Sequence, residues 1–300
     1  MEKKSILYLV IPCYNEQEVL PETEKRLTEK LNRMIQAGLV SEKSRMVFVD
    51  DGSKDATWTL IKQMHEENPL VLGIKSSRNR GHQNTLLEGL ITVKDECDIV
   101  VSMDADLQDD IEVLDQFVQK YYEGCEIVYG VRSARKTDTF FKKFTAESFY
   151  KLLSHMGVEI VYNHADYRLM SRRALNELAG FKEVNLFLRG MVPLLGFKTG
   201  TVEYERNERF AGESKYPLKK MLAFAVDGIT SLSVKPIRFI SAMGILLFGI
   251  SLILLIYYVI GYFLGNTVQG WATLVVSIWG IGGLELLAIG IIGEYIGKIY

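Results

Sequence analysis

Asp104-Ala105-Asp106 sets two carboxylates at i and i+2 directly after the apolar run Asp98 to Met103, DIVVSM. Carboxylates so spaced at a strand end can converge on a hard divalent cation, and magnesium and manganese often bind through few carboxylates plus substrate phosphates. Gln108 could supply a further oxygen. A cation held there suits a nucleotide diphosphate, because it offsets the charge that builds on that leaving group. A bare D-x-D recurs by chance in acidic loops, and it is the place after DIVVSM that gives this one weight.

A second acidic pair, Asp50-Asp51, precedes Gly52-Ser53. Either carboxylate could accept a hydrogen bond from a base or ribose, as acidic residues at the end of a second strand do elsewhere. The alternative is a helix cap or turn former. Neither G-x-x-x-x-G-K-[ST] nor G-x-G-x-x-G after the first strand occurs, which argues against a phosphate-loop NTPase and a dinucleotide oxidoreductase. His65, His82, His155 and His164 lack metal-ligand spacing. His82, beside the arginine-rich loop Ser77-Arg78-Asn79-Arg80-Gly81, could meet nucleotide but reads first as an exposed loop histidine.

The elements that must hold these residues alternate. Ser5 to Pro12, Arg45 to Val49, Val71 to Lys75, Asp98 to Met103 and Glu126 to Gly130 read as strands. Helical spacing falls between them, at Pro21 to Leu39, Asp55 to Glu67, Gly81 to Val93 and Ile111 to Tyr122. The alternation predicts a parallel, doubly wound sheet, whose ligands sit beyond the carboxyl ends of the strands. Polar clusters stand at all five such ends: Cys13-Tyr14-Asn15-Glu16, Asp50 to Ser53, Ser77 to Gly81, Asp104 to Asp106, and Arg132.

The rest of the chain has a different character. Phe239 to Leu264 is 26 residues without Asp, Glu, Lys, Arg or His. As a helix it would reach about 39 Å, enough for a tilted crossing of a bilayer core of roughly 30 Å. Trp271 to Gly297 reads as a second span, although Glu285 and Glu294 are costly in lipid unless they face protein. Lys215, Lys219, Lys220, Lys235 and Arg238 precede the first span, Lys298 ends the second, and the loop between carries no charge, so both ends are expected at the cytoplasmic face. Met221 to Val234 reads as an interfacial amphipathic helix, the alternative being an ordinary core helix. The expected organisation is therefore a cytoplasmic domain over 1–215, juxtamembrane helices over 216–236 and a two-helix hairpin over 237–300. No signal peptide is expected at the start. Cys13, Cys97 and Cys125 give neither a disulfide framework nor zinc spacing. A net charge of −2 excludes a nucleic-acid footprint.

Ile11-Pro12-Cys13-Tyr14-Asn15-Glu16, Val49 to Asp55, Asp104 to Asp109 and the two C-terminal spans resemble the family 2 glycosyltransferases, in the polyprenyl-phosphate hexose branch. Ala165 to Arg173, Glu208 to Tyr216 and Gly293 to Lys298 are similar to later motifs of its bacterial type. The resemblance covers essentially the whole chain. It implies an α/β, doubly wound nucleotide-diphospho-sugar transferase (GT-A-like) domain, followed by an interfacial helix and two transmembrane helices. Pro12, Tyr14, Glu16, Asp50, Asp51 and Arg209 would bind the nucleotide sugar; Asp104, Asp106 and Gln108 would hold Mg2+ or Mn2+. Arg132 and Lys143, with Lys142 an equal candidate, would meet the lipid phosphate. Asp104, Asp106 and Asp166 are the expected catalytic carboxylates. Asp166 has two readings: a base, although a phosphate acceptor is already ionised, or a partner that orients Arg168 or Arg173.

The expected reaction is inverting transfer of a hexose, glucose or N-acetylglucosamine preferred, from a UDP-sugar to undecaprenyl phosphate for cell-envelope glycan modification. The resemblance also implies a homo-oligomer. A processive polysaccharide synthase would carry Q-x-x-R-W, which this chain lacks, and a non-catalytic scaffold should have lost Asp104 and Asp106, which it keeps. The chain stops at Tyr300, where members usually continue with a short basic tail.

Overall fold

All seven residues of β1 (Leu7–Cys13) are buried, so its period-two alternation must serve two layers rather than one wet and one dry face. The computed structural model describes residues 4–132, 164–181, 188–205 and 271–299. After β1 come α1 (Leu20–Gln36), β2 (Arg45–Asp50), α2 (Thr57–Glu67), β3 (Val71–Lys75), α3 (His82–Val93) and β4 (Ile99–Ser102). A 3-10 turn (Ile111–Val113) leads into α4 (Leu114–Tyr122), then β5 (Ile127–Arg132). β6 (His164–Ser171), α5 (Arg172–Leu178), α6 (Leu188–Leu194) and β7 (Thr199–Tyr204) follow, and the last described element is α7 (Trp271–Ile299).

The seven strands form one sheet in the order β3-β2-β1-β4-β6-β5-β7. Leu7, Leu9, Ile11, Phe48, Val101 and Leu169 pack into a core with residues of α1 and α4. Val10, Val47, Val49, Val100 and Met170 pack on the other face with Leu86 and Leu90 of α3, Leu175 of α5 and Val192 of α6. The expected strand-helix alternation holds through β5.

The expectation of a parallel sheet holds only in part. β6 runs antiparallel to both neighbours, with Ser102 opposite Arg168 on the β4 side and Tyr129 opposite Arg168 on the β5 side. Antiparallel pairing reverses which end of the strand meets the ligand edge, so the start of β6, not its end, lies beside the loop after β4. Even-numbered Asp166, Arg168 and Met170 go to the α3 layer, while Tyr167 stacks on Phe117 and Tyr204 in the other.

The chain divides into two compact units, one of Met1–Tyr150 with Glu159–Pro217 and one of Lys151–Val158 with Leu218–Tyr300. In the second, the expected span from Trp271 is a continuous 29-residue helix, α7. Among the described residues, however, no helix is long and apolar enough to cross a membrane. The expected first span and the expected interfacial helix lie outside the described residues, as does the loop between the spans.

Candidate active site

Two loops at the carboxyl ends of β1 and β2 are laced together. Asn15, in the left-handed region at φ +52°, donates its N–H to Ser53 Oγ at 2.9 Å and accepts from Lys54 N–H at 2.9 Å. Glu16 N–H donates to Thr57 Oγ1, and Asp51 N–H to the Cys13 carbonyl. Pro12, Tyr14, Glu16, Asp50 and Asp51 therefore share one braced edge.

The acidic pair divides its work. Asp51 accepts from the N–H groups of Arg80 and Gly81 at 2.7 and 3.0 Å, so both oxygens are committed to shaping the loop that starts α3. Asp50 is fully buried; its Oδ1 accepts from Ser53 N–H, and its Oδ2 has no partner among the described residues. A buried carboxylate oxygen left without a donor costs about 1–3 kcal/mol or more, which a ligand donor would recover. Gly52, at φ +63°, lets this turn pass Arg78: a Cβ there would lie 2.8 Å from the Arg78 carbonyl carbon.

The loop after β4 is pinned from behind. Thr23 Oγ1 of α1 donates to the Ala105 carbonyl at 2.7 Å, and Ala105 is buried between the two aspartates. Asp106 Oδ1 accepts from Gln108 N–H at 3.1 Å, and Leu107 is held at φ +57°. For a leucine that conformation costs about 1–2 kcal/mol, so the loop spends stability on its shape. Asp104 loses hydration here and faces the charges of Asp109, Asp166 and Asp106; against the pull of His82, its pKa is pushed up to about 6. Asp104 is thus buried among negative charges that a cation would offset, and that is the sense in which the site fits one. Among the described residues no group of three or more His, Cys, Asp or Glu has metal-holding geometry. The expected ligands Asp104 and Asp106, with Gln108 beside them, are a pair of carboxylates rather than such a group, so a cation there would need substrate oxygens and water to complete its shell.

On the far side of Asp104 stands a group that spacing alone did not assemble. Asp166 Oδ1 accepts from Arg168 at 2.7 Å and from Arg189 Nε at 3.3 Å; Oδ2 accepts from Arg189 Nη2 at 3.0 Å. Burial alone would raise its pKa, but Arg189, His82 and Arg168 together hold the carboxyl well below the ordinary range. The orienting reading named Arg168 or Arg173 as partner; the contacts are with Arg168 and Arg189, whereas Arg173 pairs with Glu126. His82 opens α3, with Nε2 3.5 Å from Asp166 Oδ2 and 3.7 Å from Asp104 Oδ1. Its desolvation would lower its pKa, yet Asp166 and Asp104 raise it overall. His82 is thus no bystander of an exposed loop. Arg189, in α6, had no signal in the sequence beyond its charge. Gln83 Oε1 accepts from Leu188 N–H, and Arg168 donates to the Leu188 carbonyl, so α3 and β6 both grip the start of α6.

Arg132 ends β5 and is also engaged. Its Nη2 donates to Asp109 Oδ1 at 3.3 Å and its Nε to Tyr204 Oη at 3.2 Å. Asp109 is only 1% exposed in its side chain, so Arg132 neutralises a buried charge as well as standing at the expected phosphate position. Lys142, Lys143 and Arg209 lie outside the described residues.

The glycosyl transferase family 2 model matches residues 8–179. YkoT of Bacillus subtilis, an uncharacterized glycosyltransferase, is 54% identical over 299 residues, 100% of this chain and 89% of that protein. Bactoprenol glucosyl transferase of Shigella phage SfV is 38% identical over 294 residues, 97% of this chain and 93% of its own length. Mannosyl-3-phosphoglycerate synthase from Rubrobacter xylanophilus superposes with a TM-score of 0.50 at 14% identity, covering 76% of this chain and 73% of that one, a likeness of fold.

Proposed function

The chain belongs to glycosyl transferase family 2, in its polyprenyl-phosphate sugar transferase type, and on that premise we propose that it moves a hexose from a UDP-sugar to undecaprenyl phosphate with inversion. Glucose or N-acetylglucosamine is the preferred sugar. The observation that carries this reading is the convergence, at one sheet edge, of a buried Asp50 oxygen without a partner among the described residues with the carboxylates of Asp104 and Asp106. The 38% identity to a bactoprenol glucosyl transferase along nearly the whole chain supports the lipid acceptor.

In this mechanism Asp50, with Pro12, Tyr14 and Glu16, receives the nucleoside. Asp104 and Asp106, with Gln108, would hold Mg2+ or Mn2+ at the diphosphate. When bound, that ion would supply charge neutralisation to the departing diphosphate. Asp166 keeps Arg168 and Arg189 in place, and no residue need abstract a proton, because the acceptor phosphate oxygen is already ionised. Arg132, Lys142, Lys143 and Arg209 are the proposed phosphate-facing cations, the last three from resemblance.

The proposal includes a membrane-anchored chain, its catalytic unit on the cytoplasmic side, acting as a homo-oligomer. The uncharged run from Phe239 to Leu264 supports it, as does the row of exposed Leu274, Ile278, Ile281, Ile289, Ile292 and Ile296 on α7. Glu285 falls in the same row, where a neighbouring helix would shelter it better than lipid.

The test is transfer of radiolabelled sugar from a panel of uridine and guanosine diphosphate sugars to undecaprenyl phosphate, with and without chelator, by wild type and Asp106→Asn. Chelator-sensitive lipid label from one donor, absent with the variant, is the expected result. No lipid label from any donor, with folded protein, would sink the proposal.

A further inference from the structure

Among the described residues a single imidazole nitrogen stands between two carboxylates, one in the loop after β4 and one in β6. His82 Nε2 lies 3.7 Å from Asp104 Oδ1 and 3.5 Å from Asp166 Oδ2, at the first position of α3. Its backbone is fixed independently of either carboxylate: Asp51 grips the preceding N–H groups of Arg80 and Gly81, and the next residue, Gln83, accepts from Leu188 N–H. The imidazole is therefore carried on a frame tied at once to the β2 loop and to α6. Beyond Asp166 the chain of contacts continues to Arg189 through two hydrogen bonds.

We propose that His82 is a positioning residue for sugar transfer, bridging Asp104 to the Asp166–Arg189 pair so that the diphosphate side and the α6 side of the cleft hold one spacing. This rests on the reading of Asp104 and Asp106 as the cation and diphosphate site. An imidazole nitrogen 3.7 Å from Asp104 Oδ1, beyond hydrogen-bond reach, also stands in the space a cation on that oxygen would take. His82 thus weakens cation binding while it sharpens geometry, and the two effects have opposite signs.

That opposition gives the test. In the purified full-length chain, Mn2+ binding is measured by electron paramagnetic resonance with no donor or acceptor present, for wild type, His82→Ala and His82→Gln, with thermal unfolding to show that each is folded. His82→Ala is expected to bind Mn2+ roughly two- to fivefold more tightly, the range for losing a partly exposed charged contact. In the transfer assay its kcat should fall roughly ten- to a hundredfold with donor KM little changed, as misplacement without lost binding predicts. His82→Gln, which keeps a donor, should recover part of the kcat. A residue that merely supports the fold would weaken Mn2+ binding and transfer together, and that result, or unchanged Mn2+ affinity, or unchanged kcat in His82→Ala, overturns the assignment. If wild type transfers no sugar, the proposed function falls, and the Mn2+ comparison alone decides the role of His82.

Discussion

Replacing Asp166 with Asn separates an organising carboxylate from a proton acceptor, because the two roles predict different losses. The side chain of Asp166 is 7% exposed and that of Arg168 only 1%, so the substitution strands a buried guanidinium. Removing one partner of such a pair costs about 3–5 kcal/mol. The contact to Arg189, 29% exposed, adds little by comparison. Taking about 3 kcal/mol, and about 2–4 °C per kcal/mol for a domain of this size, the melting temperature should drop by roughly 6–12 °C. Adding Arg168→Met removes the stranded charge, and the double variant should regain at least half of the loss. The pH dependence has a defined sign. The folded pKa of Asp166 lies below its ordinary value, so its stabilisation is complete above about pH 4 and is lost as pH falls through the lower, folded value. The gap between wild type and Asp166→Asn should therefore narrow in strong acid, and the smaller share carried by His82, whose pKa Asp166 raises, should fade as pH rises through that raised value. Differential scanning fluorimetry across pH reads both quantities. A variant as stable as wild type, but with a large kcat loss and an acidic limb missing from its pH–rate profile, would refute the reasoning and restore Asp166 as a base.

Three further outcomes follow from other contacts. Asp104 has its pKa raised to about 6, so Mn2+ affinity should fall by about tenfold between pH 7 and pH 5 as the proton competes, while the cation-free protein is relieved of repulsion over the same interval; a flat Mn2+ profile contradicts the charge crowding. Arg132→Met leaves Asp109 buried and unneutralised and should cost about 2–4 kcal/mol, much of it returned by Asp109→Asn in a double-mutant cycle of unfolding free energies; additive losses would show that the pair is not coupled. Gly52→Ala forces a Cβ against the Arg78 backbone at positive φ and should lower stability by about 1–3 kcal/mol while weakening UDP binding in calorimetry; undiminished UDP affinity would detach this turn from the nucleotide.

Much of this molecule is written in local pattern. The runs around Leu9, Phe48 and Val101 are apolar because both faces of their strands are covered, and the polar residues after them mark the ligand edge without reference to tertiary structure. Asp104 and Asp106 were legible for that reason. β6 was not, since His-Ala-Asp-Tyr-Arg-Leu-Met-Ser places charges where a buried strand normally has none, and only the mutual pairing of Asp166 and Arg168 makes their burial tolerable. Its direction depends on non-local ladders with β4 and β5, which no window of sequence contains. The meeting of His82 with Asp166 and the grip of Asp51 on residues 80 and 81 are likewise contacts across long separations, invisible to spacing. The one available signal was that His82 directly follows a glycine, Gly81, whose φ of +86° sets the entry to α3.

The reversed direction of β6 bears on what this chain's relatives can change. Because Arg168 is fixed opposite Ser102, and Ser102 Oγ donates to the Asp166 carbonyl, the carboxylate spacing is set by a ladder rather than by the length of what precedes it. The pairing of β6 with β4 and β5 therefore fixes where Asp166 stands beside the loop after β4. A single residue inserted within β6 would instead send Asp166 to the layer of Phe117 and Tyr167 to that of α3, exchanging an ion pair for a phenol. Insertions of one residue among homologues should accordingly be absent from β6.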